Sequence, residues 1–183
     1  QCTSRGVDPQ EVRFIVMTHL HFDHASALVD FPAATVLVSE LEWQAANART
    51  STFGGYCKAQ LDPGLSYKTV DFGSAAACRR GPFERTLDLF GDGSIALVDT
   101  PGHSAGHMSV IARLAEREAL LAGDAIYTMA TLRDGERPWR VQNEARFEKS
   151  VQALRAYDEQ NPQSLIIPGH DMAAWKELDP IYS

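Results

Sequence analysis

The sequence predicts a single mixed α/β domain, and three observations lead to this prediction. Short runs rich in β-branched and apolar residues alternate along the chain with segments of helical periodicity. The length of 183 residues lies within the range of about 100–200 residues that is usual for one domain. The chain is 44% hydrophobic and 22% charged, which is ordinary for a globule with a sizeable core. Disorder and a two-domain arrangement are therefore disfavoured.

The first elements are two strands and a helix. An apolar, β-branched run over residues 12–17 predicts a buried strand that ends at a polar cluster. Residues 35–38 predict a second strand. Directly after it, Ser39 and Glu42 have the spacing of a capping box, which predicts a helix that runs to about residue 48.

Residues 50–81 lose this periodicity. They are rich in glycine and proline, and aromatic residues are interleaved with them. A loop of such length inside a compact domain tends to be a lid or a binding loop. A pair of weakly signalled helices is an equally good interpretation.

The second half of the chain returns to strands and then to a helix. Four strands are predicted, at residues 86–90, 94–98, 108–114 and 118–122. The first two form a hairpin across a glycine-rich turn. Asn143 can cap a helix whose apolar residues share one face, namely Phe147, Val151, Ala153 and Leu154. A strand over residues 164–167 and a helix over residues 172–178 complete the prediction.

Charge and cysteine content exclude several partners. With 17 Lys and Arg against 24 Asp and Glu, the net charge is −7, and no basic stripe offers a nucleic-acid surface. No run approaches the roughly 18 apolar residues of a membrane helix.

The odd set of Cys2, Cys57 and Cys78 has no metal or redox spacing, which predicts free thiols in a reducing, cytoplasmic compartment. Nothing in the sequence indicates an oligomeric state.

The six histidines are clustered rather than scattered. Each cluster follows a predicted strand, and the members are His19, His21 and His24 with Asp23, then His103 and His107, then His170. Neutral imidazole and carboxylate are ligands that zinc prefers where thiolate is absent. Leu20 and Phe22, which alternate with the first of these donors, are expected to point into the core. Asp124 adds a carboxylate at a further strand end, and one aspartate can bridge two ions. The set predicts two divalent metal ions, with zinc the expected element.

These residues resemble the signature of the metallo-β-lactamase superfamily. That signature is His-x-His-x-Asp-His, then a His in a Pro-Gly-His context, then an Asp, then a final His, and it is matched in order from residue 19 to residue 171. The resemblance implies a four-layer αβ/βα sandwich formed by residues 1–183. Only 18 residues precede His19, so the resemblance also implies that the N-terminal strands of this fold are missing from the chain.

The resemblance further implies how the ligands are shared between the two ions. His19, His21 and His103 would bind one ion, Asp23, His24 and His170 would bind the other, and Asp124 would bridge them. His107 is the superfamily's common extra histidine and is expected to support the site rather than bind an ion.

A second match narrows the activity. Residues 124–128 read Asp-Ala-Ile-Tyr-Thr, which is similar to the N-acyl-homoserine lactone lactonases of this superfamily, the quorum-quenching enzymes. Their tyrosine corresponds to Tyr127. The alternatives are another hydrolase of the superfamily, such as a thioesterase of the glyoxalase II type, an arylesterase or an organophosphate hydrolase, and a non-catalytic metal-bearing domain.

The mechanism that the lactonase resemblance implies uses two catalytic side chains besides the ligands. Two ions about 3.5–4 Å apart can bridge a water and lower its pKa to near 7, which makes hydroxide the nucleophile on the ester carbonyl. The Tyr127 phenol would stabilise the developing oxyanion. Asp23 would return a proton to the leaving alkoxide. The expected partner is a small lactone or ester, with no nucleic acid and no membrane.

Overall fold

The computed structural model describes residues 2–61 and 64–179, so Asp62 and Pro63 of the predicted 50–81 excursion lie outside the described residues. The chain divides into two compact units, Gln1–Asp71 and Phe72–Ser183. Each unit contains its own sheet and helices, which confirms the mixed α/β class. The units are described in turn.

The first unit contains a parallel sheet of order β1-β2-β3 within its described residues. Its strands are β1 Phe14–Val16, β2 Thr35–Ser39 and β3 Ser66–Val70, and its helices are α1 Phe22–Ala25, α2 Glu40–Asn47 and α3 Lys58–Leu61. Single 3₁₀ turns cover Thr3–Arg5, Pro9–Glu11, Leu28–Asp30 and Ser51–Gly54. The predicted capping box is confirmed at its first residue, because Ser39 Oγ accepts the Glu42 backbone N–H at 3.1 Å.

The prediction of a long surface excursion at residues 50–81 is wrong. Two strands lie within it, β3 and β4 Cys78–Arg80, together with α3. Strand β3 pairs with β2 over five residues, from Thr35 opposite Ser66 to Ser39 opposite Val70. Its sequence, Ser-Tyr-Lys-Thr-Val, gives no apolar run because the strand is at the edge of the sheet and buries none of its residues completely.

The second unit contains a sheet of order β4-β5-β6-β7-β8-β9 within its described residues. The remaining strands are β5 Phe83–Asp88, β6 Ile95–Asp99, β7 Met108–Arg113, β8 Glu118–Gly123 and β9 Leu165–Pro168. The predicted hairpin is confirmed as the antiparallel pair β5 and β6. Strand β9 runs parallel to β8, so the carboxyl ends of these two strands lie side by side.

Helices cover this second sheet. They are α4 Met129–Arg133, α5 Glu144–Gln160 and α6 Met172–Lys176. Asn143 caps α5 as predicted, because its Oδ1 accepts the Arg146 backbone N–H at 3.0 Å. The buried face of α5 includes Phe147, Val151 and Leu154, which is the face that the apolar periodicity predicts.

All three cysteines are free thiols in the described structure, in agreement with the sequence prediction. Among the described residues, no helix combines the length and the apolar character that a membrane crossing requires.

Helix α5 also holds the loop that follows β6. The backbone N–H of Asn143 donates to Gly102 O at 2.9 Å, and that of Gln142 donates to His103 O at 3.1 Å. Gly102 has φ +133°, and a Cβ built on it would lie 2.1 Å from the backbone N of Phe147. The helix can therefore approach this loop only because residue 102 has no side chain.

We predict that Gly102→Ala lowers the free energy of unfolding by about 3 kcal/mol or more, because overpacking and an unfavourable backbone conformation add. Gly91→Ala is the matched control. Gly91 also has a positive φ, +76°, but no atom lies within 4 Å of a Cβ built there. It should cost about 1–2 kcal/mol, the strain of a left-handed residue alone. Urea unfolding followed by circular dichroism measures both values, and equal losses in the two variants would contradict this packing constraint.

Candidate metal centre

The first unit presents three imidazoles and one carboxylate just beyond β1. The ring centroids of His19 and His21 are 4.6 Å apart, and those of His19 and His24 are 4.1 Å apart. Asp23 and His24 lie in the one-turn helix α1, where Asp23 Oδ2 is 3.6 Å from His24 Nε2. His19 is fully buried, whereas Asp23 is exposed. The local sequence thus gathers four of the predicted ligands on one segment.

The backbone of this segment is held on both sides of His21. Leu20 is fully buried in the core of the first unit, and its N–H donates to Glu42 Oε1 at 3.0 Å. The Phe22 N–H donates to Gly55 O at 2.9 Å. The interpretation that Phe22 also points into the core is wrong, because its side chain is 58% exposed. Leu20 lies before α1 and Phe22 is the first residue of this helix, so the two side chains do not share a face.

The second unit gathers its predicted ligands around Asp124. Asp124 follows β8 and is 2% exposed, and its Oδ2 lies 3.4 Å from His103 Nε2 and 3.2 Å from His170 Nε2. One carboxylate oxygen therefore lies close to two imidazole nitrogens. A Cβ on Gly169 would lie 2.3 Å from Asp124 Oδ1, so the residue before His170 must be glycine for the carboxylate to occupy this place.

Tyr127 lies beside the same two histidines. Its ring centroid is 5.4 Å from that of His103 and 5.1 Å from that of His170. The phenol oxygen is 3.2 Å from His103 Nδ1, on the opposite side of the ring from the nitrogen that faces Asp124. A phenol here is in position to orient the His103 ring.

His107 supports Asp124 through a hydrogen bond to its backbone. It is fully buried, and its Nε2 accepts the Asp124 backbone N–H at 3.0 Å. In a neutral ring the proton is then on Nδ1, which lies 2.9 Å from Thr100 Oγ1. Thr100 Oγ1 in turn lies 2.9 Å from Ser109 Oγ, which donates to Ala122 O at 3.1 Å. These bonds fix the backbone at the end of β8, which is the role expected of the extra histidine.

Asp171 ties the two strand ends of this unit together. Its Oδ1 accepts the backbone N–H groups of Ala173 and Ala174 at the start of α6, and its Oδ2 accepts that of Met129 at 3.0 Å. These bonds hold the pKa of Asp171 below its usual range, and the bond from Ala174 contributes most to the lowering. His170 is thereby attached to the segment that carries Tyr127.

The donor chemistry of both units fits a divalent cation. The predicted ligands are imidazoles and carboxylates, the set that zinc takes where thiolate is absent. A buried carboxylate such as Asp124 is costly unless cationic groups or hydrogen bonds compensate it. Two imidazole nitrogens directed at one of its oxygens form an arrangement that fits donors around a cation.

Sequence reasoning missed Glu42 as part of the site's surroundings. The capping-box pattern explains why glutamate suits the first turn of α2, but the pattern is local and does not predict a contact with Leu20, 22 residues earlier. The signal that could have identified it is a carboxyl group on the helix face that also carries the buried Ala46.

Comparison with known proteins finds similar lactonases. N-acyl homoserine lactonase AttM of Rhizobium johnstonii is 34% identical over 178 residues, which are 96% of this chain and 64% of that protein. A solved structure of a quorum-quenching N-acyl homoserine lactone lactonase superimposes with a TM-score of 0.78 at 26% identity, covering 100% of this chain and 68% of the other.

A third similar protein was solved with a ligand. It is an N-acyl homoserine lactone hydrolase with the product N-hexanoyl-L-homoserine bound at its catalytic metal centre, and it matches at 26% identity and a TM-score of 0.78. The match covers 99% of this chain and 65% of that one. This chain thus spans less than two thirds of the length of several relatives that it matches.

The sequence profile of the metallo-beta-lactamase superfamily matches residues 3–170. The match includes all seven predicted metal ligands and Tyr127. The chain therefore belongs to the metallo-β-lactamase superfamily.

Proposed function

We propose that this chain is a metal-dependent hydrolase that opens the ring of N-acyl homoserine lactones. The observation that carries the proposal is the grouping of His103, Tyr127 and His170 around the buried Asp124 carboxylate. The similar proteins support the substrate class, since they are lactonases that act on N-acyl homoserine lactones.

The proposed centre holds two divalent ions, with zinc the expected element. One ion would be held by His19, His21 and His103 and the other by Asp23, His24 and His170, and Asp124 would be a ligand to both. The two distances from Asp124 Oδ2 to imidazole nitrogens support this bridging role. The proposal treats residues 1–183 as a single functional domain.

Bound divalent cations would supply Lewis acidity for the lactone carbonyl and would lower the pKa of the attacking water. The protein's own contribution begins with His103. When Nε2 of a neutral His103 ring serves as a ligand, the ring proton is on Nδ1, which lies 3.2 Å from the Tyr127 oxygen. Nδ1–H then donates to the phenol oxygen, and the phenol O–H can donate to the carbonyl oxygen as negative charge develops there.

Asp23 is proposed to return the proton to the leaving alkoxide. Its carboxyl group is exposed, so it can exchange protons with solvent. It also lies 3.6 Å from Nε2 of His24, a proposed ligand of the same ion. A carboxyl group in such a position can act as a general acid once the ring C–O bond breaks. The products are the ring-opened acyl homoserine and one released proton.

The substrate class is tested with the zinc-loaded protein and four classes of substrate. We predict that N-acyl homoserine lactones are hydrolysed with a kcat/KM at least about tenfold above that for glutathione thioesters, phosphotriesters or β-lactams, a difference of about 1.4 kcal/mol in transition-state binding. Initial rates on each substrate at matched metal loading measure this ratio. A thioester or phosphotriester that is preferred by the same margin would replace the lactonase proposal with another hydrolase of the superfamily.

The role of Tyr127 is tested by Tyr127→Phe. The variant removes one hydrogen-bond donor to the oxyanion while the ring packing is kept, and a bound cation would also stabilise this oxygen. We therefore predict a loss of about 10- to 100-fold in kcat, the lower part of the range for an oxyanion donor. Zinc content and Tm should stay close to the wild-type values.

Tyr157→Phe is the matched control for this experiment. The Tyr157 hydroxyl donates to Glu118 Oε2 at 2.7 Å, so its loss should cost about 1–3 kcal/mol of stability and leave kcat unchanged. Wild-type kinetics of Tyr127→Phe on every lactone tested would show that Tyr127 is only a packing residue.

A further inference from the structure

Glu42 is a fully buried acidic residue that the proposed reaction does not use. It lies in the first turn of α2, on the helix face that also buries Ala46. Burying a carboxyl group costs several kcal/mol unless its oxygens are well bonded. A glutamate in the first turn stabilises a helix equally well when it is exposed to solvent. The burial of Glu42 therefore needs an explanation beyond the stability of α2.

The hydrogen bond of Glu42 provides that explanation. Its Oε1 accepts the backbone N–H of Leu20 at 3.0 Å. Leu20 lies beyond β1, which ends at Val16, so this buried N–H cannot be satisfied by continuing the strand. The peptide group that carries it joins His19 to Leu20. Fixing its plane restricts ψ of His19 and φ of Leu20, and so the directions of the side chains on both sides.

The opposite end of the segment is fixed independently. The Phe22 N–H donates to Gly55 O at 2.9 Å, and a Cβ on Gly55 would lie 3.2 Å from His21 Cδ2, so the backbone there packs closely on the ring. Gly55 and its neighbours thus hold the end of the segment after His21. Glu42 holds the beginning of the segment. The ring centroids of His19 and His21 lie 4.6 Å apart.

We infer that Glu42 is a positioning residue that sets the His19 and His21 imidazoles for a divalent cation before the cation arrives. The inference rests on the proposed function, since it assigns these two histidines as ligands. Its physical basis is preorganisation: a ligand pair that is already oriented does not lose conformational entropy when the ion binds. The donor is a backbone N–H, so any residue type at position 20 except proline could donate this bond.

Three variants separate this role from a general effect on folding. Glu42→Leu fills the space but offers no acceptor, and it should weaken the affinity for Zn²⁺ by about 10- to 100-fold, the usual cost of losing a group that orients a ligand. Glu42→Gln keeps an acceptor oxygen and should bind Zn²⁺ within about threefold of the wild-type value, which is less than 1 kcal/mol. Ser39→Ala removes the cap of the same helix, which should cost about 1 kcal/mol of stability without a change in affinity.

Competition with a chromophoric chelator measures each Zn²⁺ affinity, and thermal unfolding of the metal-free proteins measures stability. Wild-type affinity in Glu42→Leu would overturn the inference, and so would an equal loss in Ser39→Ala or in Glu42→Gln. Failure of the wild-type protein to bind Zn²⁺ would instead contradict the proposed function.

A further measurement does not depend on whether Glu42→Leu folds. In metal-free wild-type protein, the Leu20 amide should exchange with solvent deuterium at least about 100-fold more slowly than the amide of an unstructured residue, because it is buried and bonded. Fast exchange of this amide would contradict the inference independently of any metal.

Discussion

The buried position of Asp124 is the constraint on which the proposed site depends. A carboxylate that is 2% exposed, with imidazole nitrogens at 3.4 and 3.2 Å from one oxygen, is expensive to bury unless positive charge compensates it. The parallel pairing of β8 and β9 creates this arrangement, because it places Gly123 opposite Pro168 and so brings Asp124 and His170 to the same end of the sheet. Gly169 then leaves the space that the carboxylate occupies.

Much of the second unit supports that one carboxylate. His107 accepts the backbone N–H of Asp124, and α5 holds the loop that carries His103 through the close approach at Gly102. The first unit solves the corresponding problem differently. Its histidines lie on one short segment that a buried core leucine and backbone hydrogen bonds hold from both sides. In both units rigid elements position the donors, which favours a fixed coordination geometry over ligands on mobile loops.

The sequence predicts the donors better than their surroundings. Histidines and aspartates at strand ends carry a chemical signal that needs no knowledge of packing, and the hairpin and α5 follow from turn and capping patterns. Strand β3 was missed because an edge strand such as Ser66–Val70 lacks the apolar residues that mark a buried one. The expected orientation of Phe22 was wrong because this residue begins the one-turn helix α1 and does not continue the irregular segment that carries Leu20. The contact of Glu42 with Leu20 joins residues that are far apart in the chain, and local patterns cannot reveal it.

The central claim is a two-ion centre bridged by Asp124, and anomalous diffraction at the zinc absorption edge tests it most directly. Crystals of the zinc-loaded protein should show two anomalous peaks about 3.5–4 Å apart, the spacing of two-metal hydrolase sites. One peak should lie within about 2.0–2.2 Å of His103 Nε2, the other within the same distance of His170 Nε2, and each within bonding distance of the Asp124 carboxylate. A single peak, or two peaks that share no ligand, would contradict the account.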